Sequence, residues 1–383
     1  MRKITVVVTA RPSYSRIKTA LAAIDAHPDL ELQLVVAASA LLGRYGNAVD
    51  VMEKDGFKIA ARVFNVLEGG NLAAQAKTTG LGIIELTNVF ENLKPDAVVT
   101  VADRFETMST AIAASYLNIP LVHIQGGEVT GNIDEKVRHA ITKLSDLHFV
   151  SSAKAKERVL KMGEKSDTVF QTGCPSIDLA DEVKKDYKIN FNPYKKYGGV
   201  GATPDFSKGY LVVMQHPVTT EYGAARAHIE ETMQAVYDLK MPTFWFWPNV
   251  DAGSDGTSKG IRAFRELNDL QHIHFFKNME PNDFLKVLKN SLCLIGNSSV
   301  GIRECSYLGI PVVNIGGRQA GRERSENILD VDYDKILIKQ AIESQIAHGH
   351  YGSNAIYGSG DAGLKIANLL ASEDLNYSKI LQY

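Results

Sequence analysis

Cysteine is scarce in this chain. Only three occur among 383 residues, at Cys174, Cys293 and Cys305, widely spaced and without a CxxC pair. That excludes a disulfide framework and a cysteine-built zinc site. The three read instead as small buried hydrophobes in a reduced compartment. An excess of one charge is lacking too. Forty-two Lys and Arg against 44 Asp and Glu leave a formal net charge of −2, which offers no polybasic surface for nucleic acid or lipid headgroups. No apolar run reaches the ~18 residues of a spanning helix. The run before Arg11 is too short for the apolar core of a signal peptide, so a cytoplasmic protein is the expectation. Several motifs are missing as well. The segment after the first strand lacks the GxGxxG of a dinucleotide fingerprint, and the chain has no HExxH or HxxxH pair, no GxSxG elbow and no Cys beside a His. His272-x-His274 flanks a strand and reads as structural. The residues therefore signal neither a metal nor a nicotinamide cofactor.

The remainder is an ordinary globular composition, 45% apolar and 22% charged. The length suggests two domains of roughly 150–200 residues. Short Val/Ile-rich runs without strict alternation recur at Ile4–Val8, Leu32–Ala37, Ala97–Val101, Leu121–Ile124 and Leu147–Val150. Such runs are strands covered on both faces, as in a parallel sheet. Amphipathic segments lie among them, at Asn71–Leu93, Phe105–Leu117 and Glu135–Leu144. Asp181–Gly209, rich in Lys, Tyr, Gly and Pro, has little periodicity and reads as a linker. The rhythm then restarts with Tyr210–Gln215, Thr243–Trp247, Ile273–Phe276, Leu292–Ile295 and Val312–Ile315. An internal echo, LNIPLVHIQG at Leu117–Gly126 and LGIPVVNIGG at Leu308–Gly317, suggests two similarly built halves. The fold class expected is α/β, with two Rossmann-like doubly wound domains facing a central cleft. Residues 1–180, joined by a C-terminal helix within 358–383, form the first domain; residues 205–357 form the second.

Ligands of open α/β sheets bind beyond the carboxyl ends of the strands, and the polar residues of interest fall there. Arg11 and Ser15 follow the first strand and offer a charge and a hydroxyl to a phosphate; an ordinary helix cap with a solvated Arg is the equal alternative. Asp103 and Arg104 follow Ala97–Val101. After Leu121–Ile124 come Gln125, Glu128 and Asp134 around a glycine-rich loop, where a local i,i+4 pair with Arg138 would also account for Asp134. That Asp103, Glu128 and Asp134 share one sheet edge favours a site. In the second half, His216 directly follows a strand, and Asn249 follows another. Gly296-Asn297-Ser298-Ser299 leads into a helix start and reads as an anion cradle. Glu304 lies one turn in, where it could accept from ribose hydroxyls. Arg318 would add a phosphate fork.

Seven blocks occur in order: Arg11-x-x-Tyr14-Ser15, Asp103-Arg104-Phe105-Glu106, HIQGGEVTGNIDEKVRHAITKL (His123–Leu144), QHPVTT (Gln215–Thr220), NVDAGS (Asn249–Ser254), GNSSVGIRE (Gly296–Glu304) and GGRQAGRE (Gly316–Glu323). Together they resemble the hydrolysing UDP-N-acetylglucosamine 2-epimerases over nearly the whole chain. The resemblance implies a fold like that of GT-B glycosyltransferases. It also implies conversion of UDP-GlcNAc and water to N-acetylmannosamine and UDP, for sialic-acid-type synthesis. In that family UDP is eliminated to give a 2-acetamidoglucal, to which water then adds, without a metal or nicotinamide. By resemblance, Arg11, Ser15, Arg104, His216, Asn249, Ser298, Ser299, Glu304 and Arg318 would hold UDP. Asp103 and Asp134 match catalytic positions, His216 neutralises the leaving phosphate, and a homodimer or tetramer is implied.

Two positions depart from the family pattern. Gln125 stands where relatives often carry Glu, and an amide cannot transfer a proton as a carboxylate does. Either Glu128 takes that role or Gln125 orients a different sugar. Ala102 stands where Gly is usual. A UDP-2,4-diacetamido-trideoxyhexose substrate, a GT-B glycosyltransferase and a non-catalytic UDP-sugar sensor remain open alternatives on the residues alone.

Overall fold

The computed structural model describes residues 1–43, 47–67, 72–129, 133–248, 254–375 and 379–382. Its first strand shows why the sheet reads as an unbroken apolar run. In β1 (Arg2–Val8), Ile4, Val6 and Val8 enter one core with Ile17, Leu21 and Ile24 of the helix Arg11–Ala26. Val7 enters the core on the opposite face with Leu86, Phe90, Ala111 and Ala114. Both faces are covered, so alternation has no use here.

This first sheet contains β1, β2 (Leu30–Ala37), β3 (Ile59–Val63), β4 (Ala97–Val101), β5 (Leu121–Ile124), β6 (Leu147–Val150) and β7 (Val169–Gln171), ordered β3-β2-β1-β4-β5-β6-β7. Every pairing is parallel. The order reverses between β1 and β4, and the helices following those two strands cover opposite faces. A doubly wound sheet binds ligands at such a switch point. The unit comprises Met1–Val129, Ile133–Asp178 and Tyr357–Tyr383. The helix Ala362–Ser372 packs on Arg11–Ala26, with Gly363 against the backbone of Thr19. Buried Asp178 accepts hydrogen bonds from the N–H groups of Ala362 and Gly363 and from the Thr19 hydroxyl.

A second sheet lies in the unit Leu179–Ile356. It contains β8 (Val200–Gly201), β9 (Leu211–Met214), β10 (Thr243–Phe246), β11 (Ile273–Phe276), β12 (Cys293–Gly296), β13 (Val312–Ile315) and β14 (Ile328–Val331). Their order is β14-β13-β12-β9-β10-β11-β8, parallel except for β8. Its switch point lies between β9 and β12. Both units therefore carry the doubly wound α/β arrangement.

The stretch read as a linker belongs to this second unit and is not a bare connection. Pro193–Tyr197 is a short helix, and β8 pairs with β11. Tyr194, Phe206 and Tyr210 pack around Phe244. The ring nitrogens of His274 lie 2.7 and 2.9 Å from the carbonyls of Ala202 and Gly198. Aromatic anchors rather than an amphipathic period fix this segment, and that is why its sequence shows no periodicity. Four strands missing from the sequence reading are β3, β7, β8 and β14. All are sheet edges, short and partly exposed. No helix among the described residues is long and apolar enough to cross a membrane.

Candidate active site

In the first unit, the helix Arg11–Ala26 starts directly after β1 with Ala10 at its N-cap, so no side chain caps it. The ordinary-cap alternative for this segment therefore has no capping group behind it. Arg11 is partly buried, and burial lowers the pKa of its guanidinium. Ser15, one turn on, donates weakly to the Arg11 carbonyl at 3.4 Å. The next strand across the switch point, β4, is followed directly by Ala102, whose φ of +62° places it in the left-handed region. A residue with a Cβ is held there at a cost of about 1 kcal/mol. That explains why glycine is usual at this position. Asp103 follows, with 8% of its surface exposed.

Arg138 of the helix Ile133–Leu144 is buried at 1% exposure. Its Nη2 donates to Asp103 Oδ2, and its Nη1 donates to the Glu128 carbonyl at 2.7 Å. A second guanidinium, Arg16, lies 3.8 Å from Asp103 Oδ1. Arg104 turns to buried Glu106, at 3.2 and 3.4 Å. Ser39, after β2, links Glu106 to the Thr9 carbonyl. Glu128 is buried and accepts from the Ser151 hydroxyl at 3.0 Å. Asp134 stands partly exposed in the first turn of Ile133–Leu144, one turn before Arg138. Gln125 has φ +68° and is 1% exposed, and its amide donates to Cys174 Sγ at 2.9 Å. Cys174 Sγ in turn lies 3.0 Å from the Ser176 hydroxyl.

Asp103 and Glu128 are thus brought together through Arg138. Sequence reasoning had Arg138 only as the local partner of Asp134. It missed the reach to Asp103 because that contact crosses 35 positions of chain. Arg16, Ser151 and Cys174 were missed for the same reason. Gly126 and Gly127 of the loop after β5 approach protein rather than open space. A Cβ on Gly127 (φ +75°) would sit 2.3 Å from the Ala155 carbonyl, and one on Gly126 would sit 3.0 Å from His123 Nδ1.

In the second unit, Asn297 organises the switch point from a fully buried position. Its side chain accepts from the His216 N–H at 2.7 Å and donates to the His216 carbonyl at 2.8 Å. Its own carbonyl accepts from Gln319 at 2.8 Å and Arg318 at 3.3 Å. Gly296, at φ +128°, makes the turn possible, because a Cβ there would meet the Met214 carbonyl at 2.3 Å. His216, the serine pair and Arg318 are drawn to one edge in this way. The anion cradle differs from a long helix start. Ser298 caps the short helix Ser299–Ile302, which breaks at Arg303 before Glu304–Leu308 begins. Arg303 is buried and donates to Ser299 Oγ at 3.0 Å, and Glu304 is also buried. Tyr333 fills the space opened by the missing side chain of Gly316. Burial first and the charge of Glu221 second push its hydroxyl pKa up to about 12. Asn249 lies outside the described residues. Among those described, no group of three or more His, Cys, Asp or Glu is placed to hold a metal ion.

Comparison with known proteins agrees with the doubly wound fold. Residues 22–371 match the family model described as UDP-N-acetylglucosamine 2-epimerase. The UDP-N,N'-diacetylbacillosamine 2-epimerase (hydrolyzing) of Legionella pneumophila is 36% identical, over 88% of this chain and 87% of that protein. The UDP-N-acetylglucosamine 2-epimerase of Neisseria meningitidis serogroup B is 28% identical, over 94% of this chain and 92% of that protein. In fold, the chain resembles the crystal structure of UDP-GlcNAc 2-epimerase from Neisseria meningitidis bound to UDP-GlcNAc. The TM-score is 0.80 at 19% identity, over 97% of this chain and 100% of that one. With a family match spanning most of its length and an acid–arginine cluster at a doubly wound switch point, the chain belongs to the UDP-N-acetylglucosamine 2-epimerase family and is a UDP-sugar 2-epimerase.

Proposed function

We propose that the protein is a hydrolysing 2-epimerase whose substrate is a UDP-2,4-diacetamido-2,4,6-trideoxyhexose of the diacetylbacillosamine class. The product would be the free sugar inverted at C2, together with UDP. The observation that carries the chemistry is the Asp103 carboxylate, held beyond the end of β4 by Arg138 with Arg16 nearby. Removing the weakly acidic C2 proton requires a positioned base. Asp103 is that base in this reading. As the proton leaves C2, the C1–O bond to UDP breaks and a 2-acetamidoglucal remains. Water then adds at C1 while a proton returns to C2 on the opposite face.

In the second unit, His216, Ser298, Ser299 and Arg318 supply the donors and charge that hold UDP and stabilise it as it departs. In the first unit, the N-terminus of Arg11–Ala26, without a side-chain cap, adds a positive dipole end. Glu128 and Asp134 are the further acids available for returning the proton.

Two observations support the 2,4-diacetamido sugar over UDP-GlcNAc, the substrate that the family resemblance implied. Identity is higher to the diacetylbacillosamine enzyme, 36% against 28%. Gln125 is also a neutral amide bonded to Cys174, where an acid is usual. The test is kcat/KM for UDP-N,N'-diacetylbacillosamine and UDP-GlcNAc side by side. A preference of at least about 100-fold for the first is expected. That corresponds to about 2.7 kcal/mol of transition-state discrimination. A preference for UDP-GlcNAc would reverse the assignment.

A further inference from the structure

His123 sits in the middle of β5, in register with Thr100 of β4 and His148 of β6. It is fully buried, and burial pushes its pKa down to about 3. The ring is therefore neutral at physiological pH and carries one N–H. Its Nε2 lies 2.9 Å from the Ala102 carbonyl, which can only accept, so the N–H is on Nε2. Nδ1 is then the acceptor, 3.2 Å from the Thr142 hydroxyl. Gly126 leaves the room for this arrangement, since a Cβ there would press on both His123 Nδ1 and Thr142 Oγ1.

The two partners matter because of what they adjoin. Ala102 is the left-handed residue immediately before Asp103, and its own N–H donates to the Ile124 carbonyl at 2.9 Å. Its peptide groups are thus held on both sides. Without the His123 bond, the strain of the left-handed conformation favours relaxation, and Asp103 would turn with it. Thr142 lies four residues after Arg138 on the same helix, hence on the same face. One imidazole bridges the backbone that aims Asp103 and the helix that delivers Arg138.

We infer that His123 is a positioning residue for the reaction: by holding the Ala102 carbonyl and the Thr142 hydroxyl together, it fixes where Asp103 meets Arg138. This rests on the reading of Asp103 as the base. Three variants and one control test it: His123→Leu, His123→Gln, Thr142→Val and Asp103→Asn. For each, kcat, KM, C2-proton exchange in D2O, UDP affinity and the melting profile are measured.

His123→Leu is expected to lose about 100-fold in kcat and in C2 exchange, the scale of a misplacement near 1 Å. Its KM and UDP affinity should stay within about threefold. His123→Gln restores an N–H donor and should recover part of the loss. Thr142→Val should lose less, about tenfold, with the same kcat-only signature. If Asp103→Asn keeps its turnover, the reading of Asp103 fails and His123 has nothing to position. If Asp103→Asn is inactive while His123→Leu keeps kcat within about threefold, the inference is overturned and the reading stands. A His123→Leu loss that only tracks weaker UDP binding or a smaller folded fraction overturns it too. Should His123→Leu fail to fold, Thr142→Val decides: a kcat loss at unchanged KM supports the inference, and unchanged kcat refutes it.

Discussion

Arg138→Met perturbs the first-unit site at its most buried charge. The guanidinium is 1% exposed and holds Asp103 and the Glu128 carbonyl. Removing one partner of a buried ion pair costs about 3–5 kcal/mol, because the other charge is left without compensation. The lower end applies here, for two reasons. The Asp103 side chain keeps 11% exposure, and Arg16 still stands 3.8 Å from its other oxygen. A loss of about 3 kcal/mol lowers the melting temperature of a unit this size by roughly 6–12 °C. Calorimetry of the full chain reads this as a shift in the transition of the first unit. Arg62→Met is the control. It breaks an ion pair with Glu53 whose side chains are 42% and 47% exposed, and exposed pairs contribute less than about 1 kcal/mol. Arg138→Lys keeps the charge but not the two diverging N–H groups, so it should fall between the two. A melting curve for Arg138→Met indistinguishable from that of Arg62→Met would refute the claim that this guanidinium holds the acid loop together.

Other expectations follow from the same contacts. Ala102→Gly relieves the left-handed strain before Asp103 and should stabilise the protein by at most about 0.5 kcal/mol, the relief being largely offset by glycine's greater chain entropy; a destabilisation would show that Ala102 is not strained. Gly127→Ala places a Cβ 2.3 Å from the Ala155 carbonyl at φ +75° and should cost at least about 2 kcal/mol in urea unfolding. Glu164 is buried, but hydrogen bonds from His148, Lys143 and Lys379 outweigh that burial and hold its pKa at about 2, below the ordinary 4.5. A carboxylate whose folded pKa is lowered stabilises the fold above the unfolded value, and the stabilisation is lost as pH falls from about 4.5 toward 2. Glu164→Gln should therefore flatten that acid limb by at most about 3 kcal/mol, and an unchanged limb would remove Glu164 from the cause.

The central strands were legible in the sequence because strands buried on both faces leave continuous apolar runs. The edge strands were not, since β8 and β14 bury too little to leave a pattern. The strand-end rule placed Asp103, Glu128, His216 and the serine pair beyond sheet edges before any contact was known. What it could not supply was pairing. Arg138 reaching Asp103, Cys174 meeting Gln125 and Asn297 tying down the His216 loop are all contacts between residues far apart in sequence. Asn297 was within a recognised block, yet it was passed over for the hydroxyls beside it. A buried asparagine whose amide satisfies both backbone groups of His216, and whose own carbonyl accepts from Arg318 and Gln319, gives no sign of that role in a single sequence.

The most direct test of the elimination–hydration chemistry is turnover in D2O with UDP-N,N'-diacetylbacillosamine, products followed by NMR. Release of UDP in step with a free sugar inverted at C2 and carrying deuterium there is the expected result. Release of UDP with the original proton and configuration retained at C2 would contradict it, leaving simple hydrolysis of the sugar–phosphate bond in its place.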